Sequence, residues 1–301
     1  MAQGKILLQA DTFWTRIKQQ TEHALVTNAM VSIPTESEFI EQNGVCFLVR
    51  IVSNLARKDE FKQKQEKQNN SSPKDFNPFL PYEQDLFVAD ISDTHVCILN
   101  KYNVAKYHLL LITRAFEEQE SLLTLADFAA MWACMAQFDG LAFYNSGKIA
   151  GASQRHKHLQ LVPLPLTPTV GLQLPIAPLL KSAQFRNSIA TIPGFDFLHA
   201  FVLLNSLWQQ PPFTAAKATL ECYHSLLQAV GLKDEQAGAY NLLVTREWML
   251  LVPRSQECFA SIPVNSLGFA GTLFVRNEQQ MQILKQHGPM SVLKNVAVPI
   301  N

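Results

Sequence analysis

Two histidines and a glutamine occur at every second residue of one short stretch of this sequence, at His156, His158 and Gln160. If that stretch is a β-strand, the three side chains point to the same face, because side chains alternate along a strand. A neutral imidazole, whose ordinary pKa is ~6.5, is a good nucleophile near pH 7. The spacing therefore fits a nucleophilic histidine that attacks phosphorus and splits one difficult displacement into two easier ones.

Small residues precede these side chains between Asn145 and Gln154, with glycines at positions 147 and 151. We expect the backbone N–H groups of residues 151–154 to bind phosphate oxygens, because consecutive amides in a turn form a site for anions. Phosphoryl-type transfer depends mainly on oriented neutralisation of charge. The segment thus predicts an anion site beside the histidines.

The histidine spacing alone leaves other interpretations open. Two histidines on a strand are more often a structural pair or half of a metal site, although no Cys, Asp or Glu lies close in sequence to complete a zinc site. Gly147-Lys148 has neither the following Ser or Thr nor the earlier glycine of a Walker A loop. Further blocks of sequence must decide between these interpretations.

Hydrophobic periodicity predicts the elements that position these residues. Helices are expected over 11–30, with apolar positions at Phe13, Ile17, Leu25 and Val26, over 122–138, where Thr124 and Asp127 suit a capping box, and over 214–230. Strands are expected over 45–52, 86–99, 107–113, 141–144, 155–162 and 270–276, with a hairpin over 240–252. The order lacks a βαβα rhythm, so it predicts an α+β fold with an antiparallel sheet flanked by helices.

The chain has 301 residues, which suits one large domain or two small ones. We predict one unit over 1–301, with a charged loop at about 57–76 and a C-terminal part at about 213–301. Prolines cluster over about 163–193, so regular structure is not expected there, and the chain should cross the surface.

Composition excludes several classes of protein. The 25 basic and 25 acidic residues balance to zero net charge, so the basic excess of a nucleic-acid-binding protein is missing. With 48% hydrophobic residues the chain is too apolar for disorder, and no run of apolar residues is long enough for a membrane span. The five cysteines lie far apart without a CxxC motif, and no signal peptide is evident, so we expect a cytoplasmic protein with reduced thiols.

Five blocks in colinear order give the sequence a specific resemblance. They are Asn77-Pro78-Phe79; Leu99-Asn100-Lys101 followed by His108–Phe116; Gly151–Gln160; Tyr240–Thr245 with Trp248 and Val252-Pro253-Arg254; and Asn265–Gly271. Together they resemble the diadenosine tetraphosphate phosphorylases, also called ATP adenylyltransferases, of the histidine-triad-like superfamily. The resemblance covers roughly residues 45–276 and implies a histidine-triad-like fold.

The resemblance also implies roles for single residues. His158 would be the nucleophile that carries a transient adenylyl group, His156 its supporting histidine, and Gln160 a phosphate contact. The implied substrate-binding positions are Lys58, Asn100, Lys101, Asn145, Gly151, Ala152, Ser153, Gln154, Gln160, Asn265 and Gly268. Ala152 stands where a serine is common in the family, and His199 is left out of the catalytic set because its register slips by one residue.

The implied reaction is reversible phosphorolysis of diadenosine tetraphosphate to ATP and ADP, with ADP and sulfate as a side reaction. A divalent cation, expected to be magnesium, would neutralise the polyphosphate, and no resident metal ligand is expected. The implied partners are small nucleotides, bound by a monomer or small homo-oligomer, without nucleic acid or membrane. Two alternatives stay open, namely a uridylyl- or guanylyltransferase acting on nucleotide sugars and a catalytically silent nucleotide sensor.

Overall fold

The computed structural model describes residues 5–33, 35–52, 77–167, 173–232 and 238–300. Within these ranges the α-helices are α1 (Phe13–Val26), α2 (Leu125–Met135), α3 (Ala177–Leu180), α4 (Pro212–Ala229), α5 (Ser266–Phe269), α6 (Glu278–His287) and α7 (Pro289–Val296). The strands are β1 (Val31–Ser32), β2 (Glu36–Gln42), β3 (Val45–Ile51), β4 (Phe87–Asp90), β5 (His95–Leu99), β6 (Tyr102–Asn103), β7 (Leu109–Thr113), β8 (Gly140–Asn145), β9 (His158–Pro163), β10 (Gln184–Arg186), β11 (Ile189–Thr191), β12 (Ala200–Leu203), β13 (Tyr240–Val244), β14 (Trp248–Pro253), β15 (Cys258–Phe259), β16 (Ile262–Pro263) and β17 (Thr272–Val275).

One sheet of ten strands organises the fold. Its order is β10-β11-β12-β14-β13-β8-β9-β7-β5-β4, and every neighbouring pair is antiparallel. The predicted hairpin over 240–252 is β13 and β14, in which Val244 lies opposite Met249. Strand β9, which begins at His158, lies near the middle of the sheet between β8 and β7. The predicted α+β fold with an antiparallel sheet is confirmed.

Both faces of this sheet are covered by apolar side chains. Leu242 and Leu251 belong to a core cluster that includes residues of α1, α2 and α4, whereas Leu243 and Leu250 belong to a second cluster with residues of α6 and α7. This division follows from the alternation of side chains along β13 and β14. A smaller sheet, in the order β17-β3-β2, adds Val45, Phe47 and Val49 to the second cluster.

The predicted helix over 122–138 is α2, and its start follows the sequence signal. The Thr124 side chain accepts a hydrogen bond from the Asp127 N–H, and the Asp127 carboxylate accepts one from the Thr124 N–H, so the capping box is present. None of the helices in the described ranges combines the length and apolar character needed to cross a membrane.

The apolar face predicted for the first helix is wrong at its end. Phe13, Ile17 and Ala24 are buried, but Leu25 and Val26 are 44% and 82% exposed. Val26 follows Ile17 by nine residues, and at ~100° per residue it therefore lies on the opposite side of α1.

Two other boundaries also differ from expectation. The proline-rich stretch contains α3, β10 and β11, and it buries Leu174 and Ile176. Pro178 is tolerated because it lies in the first turn of α3, where no intrahelical N–H donor is needed. The strand predicted to begin at residue 155 begins at His158, and the predicted charged loop lies outside the described residues.

Candidate active site

A cavity of about 750 Å³ opens beside the start of β9. Of the residues singled out from the sequence, its lining contains His158, Gln160, Asn100, Lys101, Asn145, Gly151, Ser153, Gln154 and Asn265. The structure therefore brings together side chains that lie up to 165 positions apart, as 265 minus 100 gives. Ala152 and Gly268 are not part of this lining, and Lys58 lies outside the described residues.

The ring of His158 is held in one orientation. Its Nδ1 lies 2.7 Å from the backbone carbonyl oxygen of His156, so Nδ1–H donates there and the lone pair lies on Nε2. The ring of Phe79 packs edge-to-face against it, with centroids 5.3 Å apart. The imidazole is thus fixed in the tautomer that a nucleophile at Nε2 requires.

Burial also keeps this ring neutral. His158 is 4% exposed, and desolvation lowers the pKa of its imidazole to about 4, although the hydrogen bond to the His156 carbonyl opposes this shift. A histidine with this pKa carries no proton on Nε2 at neutral pH. Its lone pair is therefore available without prior removal of a proton.

His156 has both ring nitrogens engaged. Its Nε2–H donates to the carbonyl oxygen of Thr113 at 2.8 Å, and its Nδ1 lies 2.9 Å from the side-chain amide nitrogen of Asn77. Burial lowers the pKa of His156 as well. This histidine does not line the cavity, so the geometry suits support of His158 through the backbone carbonyl and not chemistry of its own.

Gln160 belongs to a chain of polar side chains along the cavity. Its Oε1 accepts from Nε2 of His108 at 2.9 Å, and Nδ1 of His108 lies 3.2 Å from the side-chain nitrogen of Asn100. Because Oε1 is bound by His108, the amide NH2 of Gln160 is oriented away from that histidine and is free to donate to an anion. His108 was part of a sequence block, but no local pattern assigned it a role.

Charged side chains meet at another part of the cavity lining. Nζ of Lys101 lies 2.5 Å from Oε1 of Glu83, and both residues are partly exposed. Glu257 also lines the cavity. In the described part of the chain no group of three or more His, Cys, Asp or Glu residues forms a metal-binding cluster.

The turn that precedes β9 depends on Gly151. Its φ is +92°, and an added Cβ would lie 2.8 Å from the carbonyl oxygen of Val264 and 2.9 Å from Cβ of Asn265. Glycine is therefore required both by the backbone conformation and by the close approach of the C-terminal segment. This contact places the backbone of Gly151 next to Asn265.

A buried polar network holds that turn against the sheet. The side-chain NH2 of Asn241 donates to Oδ1 of Asn145 and to the carbonyl oxygen of Ala150, both at 2.8 Å. Nη1 of Arg254 donates to Oδ1 of Asn241 at 2.6 Å, and Ser266 donates to Oδ1 of Asn145. Asn145 thus acts here mainly as a structural link, although it borders the cavity.

The remaining predicted positions have local roles. Asn265 caps α5, because its Oδ1 accepts from the N–H of Leu267 at 3.0 Å. Gly268 is buried in that helix, where an added Cβ would lie 2.8 Å from Val264 Cγ1, so it serves packing. His199 accepts from the Ile192 N–H and has its other nitrogen on a backbone carbonyl, which agrees with its exclusion from the catalytic set.

The opposite face of the histidine segment is anchored in the interior. Lys157 is 1% exposed, and its Nζ lies 2.8 Å from Asp127 and 3.1 Å from Glu117. Asp127 also bonds Nε2 of His95 at 3.0 Å, and these two partners hold its pKa below the ordinary value against the effect of burial. This buried ion network fixes the backbone between His156 and His158 from behind.

Comparisons with known proteins agree with this geometry. A family model described as the Ap4A phosphorylase N-terminal domain matches residues 3–182, and one described as the ATP adenylyltransferase C-terminal domain matches residues 193–299. Diadenosine 5',5'''-P1,P4-tetraphosphate phosphorylase 2 of Saccharomyces cerevisiae is 27% identical over 248 residues, which is 72% of this chain and 74% of that protein. Protein APA1 of the same yeast is 29% identical over 209 residues, covering 60% of this chain and 61% of that protein.

A solved structure shares the fold. The crystal structure of yeast Ap4A phosphorylase Apa2 in complex with Ap4A is similar with a TM-score of 0.80 at 22% identity, over 97% of this chain and 99% of that chain. The order of blocks in the sequence, the antiparallel sheet and the two family models point the same way. The chain belongs to the Ap4A phosphorylase family.

Proposed function

We propose that this protein catalyses the reversible phosphorolysis of diadenosine tetraphosphate (Ap4A) to ATP and ADP through an adenylyl group on His158. The observation that carries the proposal is the buried, neutral ring of His158, whose Nδ1 is bound to the His156 carbonyl while the ring lines a large cavity. Such a ring offers a nucleophilic Nε2 to an incoming polyphosphate. Membership of the Ap4A phosphorylase family supports the choice of substrate.

The reaction proceeds in two displacements at one phosphorus. Nε2 of His158 attacks the α-phosphorus of one adenosine, the P–N bond forms, and the bond to the bridging oxygen of the β-phosphate breaks, which releases ATP. Inorganic phosphate then attacks the same phosphorus, a P–O bond forms, and the P–N bond breaks, which releases ADP. Each step exchanges one bond at phosphorus, and the second step restores the free ring of His158.

The cavity lining supplies the charge that these steps require. The Lys101 ammonium, the amide NH2 of Gln160 and the backbone N–H groups of Ser153 and Gln154 are the donors offered to phosphate oxygens. The N–H groups of Gly151 and Ala152 instead donate to the carbonyl oxygens of Lys148 and Gly147 within the turn. Asn100 holds His108, which in turn orients Gln160. These groups act by position and charge, and His158 alone forms a covalent bond.

A divalent cation, most suitably magnesium, fits this site as a companion of the substrate. Mg²⁺ is commonly held by one or two carboxylates together with substrate phosphates, and Glu257 offers such a carboxylate in the cavity lining, whereas Glu83 is paired with Lys101. When bound, the cation would neutralise negative charge on the polyphosphate. The protein's own residues would still hold and orient the dinucleotide, and His158 would accept the adenylyl group.

The experiment that tests the reaction is a product analysis with diadenosine tetraphosphate, run with and without phosphate. ATP and ADP formed only with phosphate support phosphorolysis. ATP and AMP formed without phosphate would instead mark a hydrolase, and the absence of any product would leave a nucleotide sensor. ADP incubated with sulfate tests the side reaction, which would give adenylyl sulfate and release phosphate, and nucleotide sugars test the rival transferase.

The covalent step has its own test in His158→Ala. Protein mixed with the dinucleotide labelled at its α-phosphates, and then denatured, should carry acid-labile label in the wild type and none in this variant. Turnover should fall by at least about 1,000-fold, as expected when a nucleophile is removed. The control is His224→Ala, which removes an exposed histidine of α4 and should label normally. Label retained in His158→Ala would refute the assigned nucleophile.

We also propose a cytoplasmic location, small-molecule partners and an oligomeric state. All five cysteines are free thiols, which suits the reducing conditions of the cytoplasm. Its partners are small nucleotides and phosphate, and the protein acts as a monomer or a small homo-oligomer. Size-exclusion chromatography with light scattering measures that state directly.

A further inference from the structure

The ladder of hydrogen bonds between β8 and β9 ends just before His158. Its register pairs Gly140 with Pro163 and continues to Phe143 and Gln160. Two residues further, Asn145 would lie opposite His158. The side chain of Gln119 lies between these two residues.

Gln119 replaces the missing ladder contacts with its own amide. Its Oε1 accepts from the backbone N–H of His158 at 2.8 Å, and its Nε2 donates to the carbonyl oxygen of His158 at 3.2 Å. The same Nε2 donates to the carbonyl oxygen of Asn145 at 2.9 Å. One buried amide, 2% exposed, thus binds both polar backbone groups of His158 and the neighbouring strand.

The backbone of Gln119 is itself fixed. Its N–H donates to the carbonyl oxygen of Arg155 at 2.7 Å, and the hydroxyl of Tyr144 donates to its carbonyl oxygen. The backbone of the adjacent residue Glu118 pairs with that of His156 in an isolated antiparallel β-bridge. The amide is therefore held in place independently of any substrate, as expected for a group that prepares a reactive side chain.

We propose that Gln119 is a positioning residue, which sets the ring of His158 for attack by holding the backbone of that residue between β8 and β9. The proposal rests on the proposed function, in which His158 is the nucleophile. Gln119 has no place in the reaction itself and acts only through His158. Its effect should be large, because a displacement of about 1 Å can slow a reaction roughly 100-fold.

The test compares two buried glutamines that make the same kind of contacts. Gln280 in α6 is 7% exposed, accepts from the N–H of Arg276 at 2.8 Å and donates to the carbonyl oxygen of Ser261 at 2.7 Å. Gln119→Met and Gln280→Met each remove one such amide at nearly constant volume. Only the first removes it beside the nucleophile.

Steady-state phosphorolysis should separate the two variants. In Gln119→Met, kcat should fall about 10- to 100-fold while KM changes by less than about threefold, because the cavity keeps its ligands and the ring loses its placement. In Gln280→Met both constants should match the wild type. A wild-type kcat in Gln119→Met, or the same loss in both variants, would overturn the proposal.

Gln119→Glu provides a second variant of the same size. Its carboxylate still accepts from the His158 N–H but cannot donate to the two carbonyl oxygens, so kcat should fall here too. If neither Gln119 variant folds while Gln280→Met does, Gln119 is structural and the positioning role is rejected.

An NMR titration of the His158 ring in the free protein gives a result that does not depend on turnover. In Gln119→Met the ring of His158 loses its placement and should be better solvated, which should raise its pKa towards the ordinary value, and Gln280→Met should leave the pKa unchanged. The charged and titratable neighbours, His156, Lys101, Glu83, Glu257 and His108, are the same in both variants. A shifted titration in a protein without phosphorolysis would reject the proposed function alone, whereas an unshifted titration would count against the placement.

Discussion

The ring of His158 is more weakly basic than an ordinary imidazole, and its reaction should therefore tolerate acid. Desolvation lowers its pKa to about 4, and the rate depends on the neutral ring. Formation of labelled protein in a single turnover should stay constant as the pH falls through 6.5 and decline only as it approaches 4. This half-reaction needs no free phosphate, so the titration of phosphate does not interfere. A rate that halves near pH 6.5 would contradict the burial argument.

The lowered pKa of His158 also makes the free energy of unfolding depend on pH. The unfolded chain protonates this histidine at its ordinary pKa of ~6.5, whereas the folded state resists protonation down to about 4. The unfolded state therefore binds more protons in this window, and the folded state loses stability as the pH falls through it, by roughly 3 kcal/mol in total. Urea unfolding at pH 7 and pH 4.5 should show the loss in wild type and a smaller one in His158→Ala.

Lys101 is the cation of the cavity lining whose removal should weaken substrate binding. Lys101→Ala should lower kcat/KM for the dinucleotide about 10- to 100-fold, because a charge-assisted contact with phosphate is worth roughly 1.5–3 kcal/mol. Glu83→Gln is the matched variant, since it removes the partner that lies 2.5 Å from Lys101 but keeps the ammonium. Its kcat/KM should stay equal to the wild type or rise. Unchanged kinetics in Lys101→Ala would remove the charge-neutralising role.

Some residues of the site could be predicted from the sequence and others could not. His158 and Gln160 follow from alternation along one strand, and both line the cavity. Gln119 and His108 carry no local signal, because they meet the histidine strand only after folding, across 39 and 52 residues of chain. A polar residue between apolar segments gives no indication of which distant backbone group it will bind.

At the scale of elements, the glycine turn before β9 should be the least tolerant of substitution. Gly151→Ala would place Cβ 2.8 Å from the Val264 carbonyl oxygen at a φ of +92°, so both strain and collision oppose it. Gly231, which follows α4, has a φ of +74° and open space around an added Cβ. Gly231→Ala should therefore cost about 1 kcal/mol of unfolding free energy, and Gly151→Ala about 2–4 kcal/mol with a marked loss of activity.

Chemical denaturation and phosphorolysis assays on both glycine variants measure this difference. Equal stability of the two would show that the C-terminal segment yields to the added methyl group.

The helices and strands themselves were predictable where their periodicity was strong, as for α2 with its capping box and the hairpin of β13 and β14. The elements within the proline-rich stretch were not, because burial there depends on distant partners. The error at the end of α1 has another cause, since Val26 departs from the helical periodicity of the buried positions.

At the scale of the whole molecule, balanced charge should keep the protein off nucleic acids. Equal numbers of basic and acidic residues give a net charge of zero, and binding to long duplexes depends chiefly on neutralising phosphates. A gel-shift experiment with a random duplex at low salt should show no complex at micromolar protein. A tight complex that dissociates on adding salt would contradict this expectation.

The fold class could be predicted from the order of elements, whereas the position of β9 within the sheet could not, because strand order is set by long-range pairing.

The large sheet also bears on how the polypeptide can be divided. The two family models meet between residues 182 and 193, yet β8 from the first part is hydrogen-bonded to β13 from the second. If the two parts were separated, β8 and β13 would each lose a hydrogen-bonded neighbour. Their unpaired backbone N–H and C=O groups would then be exposed along a strand edge, and such edges promote aggregation. Fragments made apart should therefore be recovered as inclusion bodies, and synthesis of both halves in one cell should rescue them by letting each cover the other.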